Sequence, residues 1–396
     1  MKRIAVIAEF NPFHTGHAHL LSQLRQQSGP EALLIVIQSG SFVQRGEPAL
    51  FNKWQRARWA VQNGADLVFE LPTVYSLSSA AGFAYGGTLL AARLGCTHLA
   101  CGVESGTAAD FYALARASLQ VGQTRPKGET QGRSQTEAIA AQLPQETAAL
   151  LEEPNALLAA AYVKTIVQHQ LPLQFWPIQR SGSHNSSSLD GAFASASALR
   201  RTISQTGSSQ TIERYLPDSI RTSVAELIEK GAYTDYDRYG DLILFRNRLL
   251  SPRELHELPA FNEGLENRWY RCLQGATNYA DGLAAIKTRR YAYSRLCRMG
   301  AYTLLWPNRQ LMDASYEQGP QYARLLALSK PASYYIKEIK KHLPVITLLK
   351  KADNLSPLGQ QQLALDLRAT DVQFYCFHQG AVRLAGQDYY ESPKIQ

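Results

Sequence analysis

Cysteine is scarce and unpatterned. The five residues Cys96, Cys101, Cys272, Cys297 and Cys376 form no CxxC pair and no His/Cys cluster with zinc spacing. Their odd number and wide separation argue against a disulfide framework and a structural metal site, and leave buried packing thiols. Long hydrophobic runs are missing too: residues 32–37 are too few to span a bilayer, and residues 242–250 are short and charged. The opening apolar run of about six residues leads straight into a histidine motif, so no secretory signal is expected. With 45% hydrophobic and 19% charged residues over 396 positions, the chain has material for two or three globular domains. The expectation is a cytoplasmic protein with no membrane contact and no evident obligate protein partner.

What is present begins with His14-Thr15-Gly16-His17. The run Ile4-Ala5-Val6-Ile7-Ala8 before it is short, apolar and partly β-branched, as a buried parallel strand should be. A helical pattern starts at Gly16, and Asn11-Pro12-Phe13 supplies the turn that breaks the strand and aims the helix. Two imidazoles three residues apart on a first helical turn project to the same side. Free N–H groups and the helix dipole favour an anion there, and ATP phosphate is the natural occupant. The bland reading is two surface histidines; His19 reads as a solvated or packing residue.

Strand and helix patterns then alternate through the first half. Residues 32–37, 66–71, 97–101 and 173–178 read as strands, with helical spacers at 53–63, 78–94 and from Pro154 through Lys164. That order predicts an α/β fold, a Rossmann-like parallel sheet with ligands beyond the carboxyl ends of its strands. Gly102 at one such end is a candidate for adenine contact, and Arg180 at another is placed to meet a triphosphate. Residues 121–147 read as a loop or small insertion over the site. Ala194-Ser195-Ala196-Ser197-Ala198-Leu199-Arg200 is the second strong motif. Ser195 and Ser197, a helix start and the Arg200 guanidinium can serve the same phosphate chain.

Net charge is +8, with 15 basic against 13 acidic residues over 1–200 and 26 against 20 beyond. Between Arg268 and Arg298 lie Arg268, Arg271, Lys287, Arg289, Arg290, Arg295 and Arg298 with one acid, Asp281. Such a segment is a footprint for a polyanion, and the interleaved Trp269, Tyr270, Tyr291 and Tyr293 read as platforms for unpaired bases. Helical spacing dominates after residue 205, including one long helix over 280–306. Residues 372–377 and 381–384 alternate like a small terminal β-hairpin. The expected division is an ATP-binding catalytic domain over 1–204 and a helical, basic RNA-binding domain over 205–396.

HxGH with a later Ser-x-Ser-x-x-Arg resembles the HxGH nucleotidylyltransferase group. A closer resemblance, over nearly the whole chain, is to the tRNA(Met) cytidine acetate ligase family. It is carried by residues 9–17, by Ser39-Gly40-Ser41-Phe42-Val43-Gln44-Arg45-Gly46-Glu47-Pro48-Ala49, by residues 64–72 and 263–267, and by Lys287-Thr288-Arg289-Arg290-Tyr291. The resemblance implies that acetate and ATP form acetyl-adenylate and pyrophosphate. The exocyclic amine of the wobble cytidine in elongator tRNA(Met) then takes the acetyl group. ATP contacts carried over are Ile7, Ala8, Glu9, Phe10, Asn11, Pro12, Phe13, His14, Thr15, Gly16, His17, Ala18, His19 and Leu20, then Gly102, Asn155, Arg180 and Ser181. His14 and His17 would be catalytic, steadying charge on the phosphates, with Mg²⁺ on the leaving pyrophosphate. Lys287, Arg289, Arg290, Arg295 and Arg298 would bind the RNA. The chain departs from the family at Thr15 and Ala156, where Asn is usual, and at Arg289, where Lys is usual. Two other readings use the same residues: an adenylyltransferase making a small dinucleotide cofactor, and a non-catalytic RNA-binding protein. The former has no use for the basic second half, and intact motifs disfavour the latter.

Overall fold

Successive side chains of the central strands enter two different buried layers. β1 (Arg3–Ala8), β2 (Leu33–Ser39), the short pair β3 (Phe42–Val43) and β4 (Glu47–Pro48), β5 (Leu67–Leu71), β6 (His98–Val103) and β7 (Gln174–Gln179) follow in chain order. The computed structural model describes residues 1–124, 133–180, 194–352 and 354–396. It adds β8 (Ala323–Leu328), β9 (Val345–Ile346) and β10 (Lys394–Ile395), and the main sheet runs β10-β8-β5-β2-β1-β6-β7 with β9 also on β8. Strands β5, β2, β1, β6 and β7 are parallel. Ala5, Ile35, Ile37 and Phe69 feed one apolar layer and Ile4, Val6, Leu34 and Val36 the other, so helices must cover both faces. Strand order reverses at β1: the chain steps out through β2 to β5, then returns to β6 and β7 on the other side. A crevice therefore opens beyond the carboxyl ends of β1 and β6.

The floor of that crevice is held by a buried arginine. Arg56, on the helix Lys53–Gln62, donates to the carbonyls of Glu9 (2.6 Å), Ser39 (3.1 Å), Phe51 (3.0 Å) and Gly40. One guanidinium thus ties the ends of β1 and β2 together, and its charge is spread over four neutral acceptors.

Two expectations about the second half are corrected. Beyond residue 205 the chain also returns to the sheet, where β8 pairs antiparallel with β5. Six buried residues, five of them apolar, cannot be told from a helix segment by periodicity alone. Residues 372–375, read as a hairpin strand, complete the helix Pro357–Tyr375, and Gly380–Val382 is a single 3₁₀ turn. Gln373 explains the misleading alternation, since its amide is buried and donates to the carbonyls of Ala49 (2.6 Å) and Phe51 (3.1 Å). β structure near the C-terminus falls instead on β10, parallel to β8. The helix expected over 280–306 is two, Tyr279–Ile286 and Tyr293–Leu305, with the basic residues 287–291 between them.

Lys53, Glu70, Arg324 and Asp388 form a buried charge network between sheet and C-terminal segment. Lys53 Nζ lies 2.9 Å from Glu70 and 2.8 Å from Asp388, and Arg324 Nη2 lies 2.7 Å from Asp388.

Candidate active site

A cavity of about 530 Å³ occupies the crevice. Residues 6–11 at the end of β1 form its floor, Ala100–Gly102 of β6 and Ile178–Arg180 at the end of β7 one wall, and residues 194–198 another. His14, Gly16, His17, His19 and Leu20 line it from one helix, Pro154 and Asn155 from a second, and Arg200 and Arg201 from a third. The helices Thr15–Ser28, Pro154–Gln168 and Ala196–Thr206 all present their N-termini to it. Three helix dipoles, the three histidines and the guanidinium groups of Arg45, Arg180, Arg200 and Arg201 make a strongly anion-seeking cavity. Glu9 is the only acid among its described lining residues. Burial pushes the Glu9 carboxyl above the usual carboxylate range, against the pull of the Gln44 N–H that it accepts at 2.7 Å and of Arg200.

His14 is the cap of its helix rather than a member of the first turn. Its Nδ1 accepts the Gly16 N–H at 3.1 Å, and its ring stacks on His17 at 3.8 Å between centroids. Phe10 meets His17 edge-on at 4.8 Å, and its φ of +48° lies in the left-handed region that bends the chain out of β1. Both imidazoles are therefore fixed by packing.

The second motif is bonded to the first. Ser195 caps its helix by accepting the Ala198 N–H at 3.2 Å. Arg200 donates to the Asn11 carbonyl at 2.7 Å, pairs with Glu47 at 2.9 Å and reaches Ser197 Oγ at 3.4 Å. Arg45 donates to the same Ser197 oxygen at 3.1 Å. Arg200 thus joins the turn of the first motif, the β3–β4 hairpin and its own helix.

Most of the residues expected on sequence grounds meet here: Ile7, Ala8, Glu9, Phe10, Asn11, His14, Gly16, His17, His19, Leu20, Gly102, Asn155, Arg180, Ser195, Ser197 and Arg200 line the cavity. Pro12, Phe13, Thr15 and Ala18 do not; Pro12 and Phe13 are buried in the turn beneath it. Ser181 lies outside the described residues, as does most of the loop after it. Arg201, Tyr162 and Phe83 line the cavity without having been expected, because neither helical spacing nor a motif marks them. Gly102 admits close approach, since a Cβ there would sit 3.3 Å from Arg180 Cγ. Gly102→Val should raise the KM for ATP about tenfold with little change in kcat, measured by pyrophosphate release; an unchanged KM would remove Gly102 from the nucleotide wall.

The basic segment is less uniform than its sequence. Lys287, Arg289 and Arg290 are exposed in the loop between two helices, and Arg290 pairs with Glu263. Arg295 donates to the Ala260 carbonyl and Asn262, and Arg298 to the Gln44 carbonyl. Trp269 is fully buried, with its indole N–H on Asn247 at 2.7 Å, and Tyr291 is buried under Arg290 and Arg295. Neither ring offers a free stacking face, because the helical region needed them for a core of its own. Tyr293 is exposed.

A Rossmann-like sheet whose HxGH turn and Ser-x-Ser-x-x-Arg helix share one cationic cavity defines a nucleotidyl transferase, and a family model described as HIGH Nucleotidyl Transferase matches residues 1–388. Curated relatives extend the likeness. A tRNA(Met) cytidine acetate ligase of Leuconostoc mesenteroides is 32% identical over 391 residues, covering 96% of each chain, and one of Geobacillus sp. is 31% identical over 376 residues, covering 91% of this chain and 92% of the other. The chain belongs to the tRNA(Met) cytidine acetate ligase family. The crystal structure of Thermotoga maritima TmcAL bound with alpha-thio ATP superposes with a TM-score of 0.90 at 26% identity over the whole of both chains.

Proposed function

We propose that this chain joins acetate to ATP as acetyl-adenylate and transfers the acetyl group to the exocyclic amine of the wobble cytidine of elongator tRNA(Met). An acetate oxygen attacks the α-phosphorus and pyrophosphate leaves with the bonding pair. The amine nitrogen then attacks the acetyl carbon, AMP leaves, and the nitrogen loses a proton. The observation that carries this reading is the Arg200–Asn11 bond, which sets both motifs around one cavity. His14 and His17 would face the phosphates, with charge neutralised by a preorganised site rather than by a covalent partner. Ser195 and Ser197 would add hydroxyl donors, Asn155 and Gly102 would meet the nucleoside, and Arg180, with Ser181, the triphosphate. With Arg200 engaged by Glu47, the guanidinium groups of Arg45 and Arg201 would also serve the phosphates.

Among the described residues no group of three or more His, Cys, Asp or Glu could hold a metal ion, so Mg²⁺ would enter on the phosphates themselves. Bound there it would supply charge screening for pyrophosphate. No helix among the described residues is long and apolar enough to cross a membrane. We read residues 1–204 as the part that binds ATP and the region after 205 as the part that holds the tRNA. A maker of a small dinucleotide cofactor would leave the exposed Lys287, Arg289 and Arg290 without a purpose.

The adenylation step has a direct test. Labelled pyrophosphate should exchange into ATP only when acetate is present; exchange driven by a mononucleotide instead would overturn the reading. For the second step, Arg289→Ala with Arg290→Ala should weaken tRNA binding about tenfold and lower its salt slope by about one. Most of the loss should come from Arg289, since Arg290 is shared with Glu263. Unchanged affinity in a filter-binding titration would put the RNA surface elsewhere.

A further inference from the structure

A second cavity, of about 370 Å³, shares no lining residue with the nucleotide cavity. Its lining includes Arg295, Arg298 and Arg309 with a single acid, Asp313, and an apolar side built from Met312 and Tyr316. Each arginine is fixed by neutral acceptors. Arg309 donates to the carbonyls of His256 and Phe261, both at 2.7 Å; Arg295 donates to the Ala260 carbonyl at 3.0 Å and to Asn262 at 2.7 Å. Arg298 donates to the Gln44 carbonyl at 3.1 Å. Among the described residues none of the three forms an ion pair, with Asp313 or any other carboxylate. Burial lowers the basicity of Arg298, the mark of a charge taken from water without an anion to answer it. Three guanidinium groups held in place by neutral oxygen acceptors and, for Arg295, by the Tyr291 ring are preorganised for an oxyanion.

The position of this cavity says which oxyanion. Arg298 grips the Gln44 carbonyl, while Gln44 and Arg45 line the nucleotide cavity. Gly46 packs so closely on the Arg298 backbone that a Cβ there would clash with it. The hairpin therefore borders the nucleotide cavity through Gln44 and Arg45 and touches the second cavity's lining at Arg298. A polynucleotide that lays one base into the nucleotide cavity over this hairpin carries its neighbouring backbone past the three arginines. We propose that the arginine cavity binds a phosphate and ribose of the RNA strand next to the acceptor cytidine, an inference that rests on the acetyl-transfer reading above. The phosphate lies on the guanidinium groups of Arg298 and Arg309, and the sugar on Met312 and Tyr316. A free nucleotide shares the phosphate chemistry; the position beside the hairpin favours the RNA strand.

The test uses the full chain with tRNA transcript. Arg309→Gln keeps an amide donor for the two carbonyls but removes the charge, and Asp313→Asn removes the one acid. Arg309→Gln should weaken tRNA binding about tenfold and flatten its salt slope by about one, and Asp313→Asn should tighten binding about twofold to threefold. Acetate-dependent pyrophosphate exchange, measured without tRNA, should match wild type in both. Opposite shifts from the two variants separate charge from folding, because a damaged fold weakens both. Unchanged tRNA affinity in both variants overturns the proposal, and so does a raised KM for ATP in Arg309→Gln, which would assign the cavity to a free nucleotide. If the affinities shift as expected but wild type acetylates no tRNA, the phosphate cavity stands and the acetyl-transfer reading is what fails.

Discussion

Replacing His17 by Ala should lower acetate-dependent pyrophosphate formation roughly a thousandfold, the scale for loss of one preorganised donor facing transition-state charge. His17 is held between His14, stacked at 3.8 Å, and the edge of Phe10, so nothing adjacent can swing in to replace it. Binding of tRNA should stay within about twofold of wild type, because the basic loop is built on other helices with their own core. His17→Asn, which keeps a donor of similar reach, should recover part of the rate. If tRNA affinity fell in parallel with the rate, and Asn restored neither, His17 would be a packing residue and the phosphate role would be lost.

The second large effect is on stability. Lys53 is wholly buried between Glu70 and Asp388, and Arg324 completes the network. Lys53→Met leaves those carboxylates short of a cation in a dry interior and should destabilise the protein by about 3 to 5 kcal/mol in a denaturant titration. Asp366 adds a pH dependence. Burial, with Glu70 as a like-charge neighbour, pushes its carboxyl up to about 7, and Lys53 is one of the groups that holds it down. A carboxyl whose pKa is raised on folding removes stability progressively as pH rises from its unfolded value to its folded one, and losing Lys53 carries that loss on to higher pH. The deficit of Lys53→Met should therefore be larger at pH 8 than at pH 6. A loss below about 1 kcal/mol at both pH values would mean that Arg324 alone balances the two acids.

How much the sequence discloses depends on whether a feature is local. The first strand, the turn and the helix start at His14 lie within about fifteen consecutive residues, so periodicity and turn chemistry suffice to place them. Convergence of the second motif was legible because it too opens a helix after a strand of the same sheet, and such sheets gather those ends at one edge. Contacts between distant segments were not legible. Nothing near Arg200 announces Glu47 as its partner, and nothing near Lys53 announces Asp388, 335 positions on. The aromatic residues of the basic segment misled for a related reason: Trp269 and Tyr291 stand among arginines in sequence, yet the small helical core behind them had first claim on their rings. His14 was expected on the first helical turn and proved to be its cap, a shift of one position that turns its Nδ1 inward to Gly16 and leaves its stacked partner beside the cavity.

The central claim is that free acetate, activated by ATP in the cavity between the two motifs, ends on RNA. Purified protein incubated with labelled acetate, ATP and tRNA, with labelled acetyl-CoA as the alternative donor, tests it most directly. Label should enter tRNA from acetate only when ATP is present, with one AMP formed per acetyl group and none entering from acetyl-CoA. Label arriving from acetyl-CoA, or AMP production with no acetyl group on the RNA, would contradict the account.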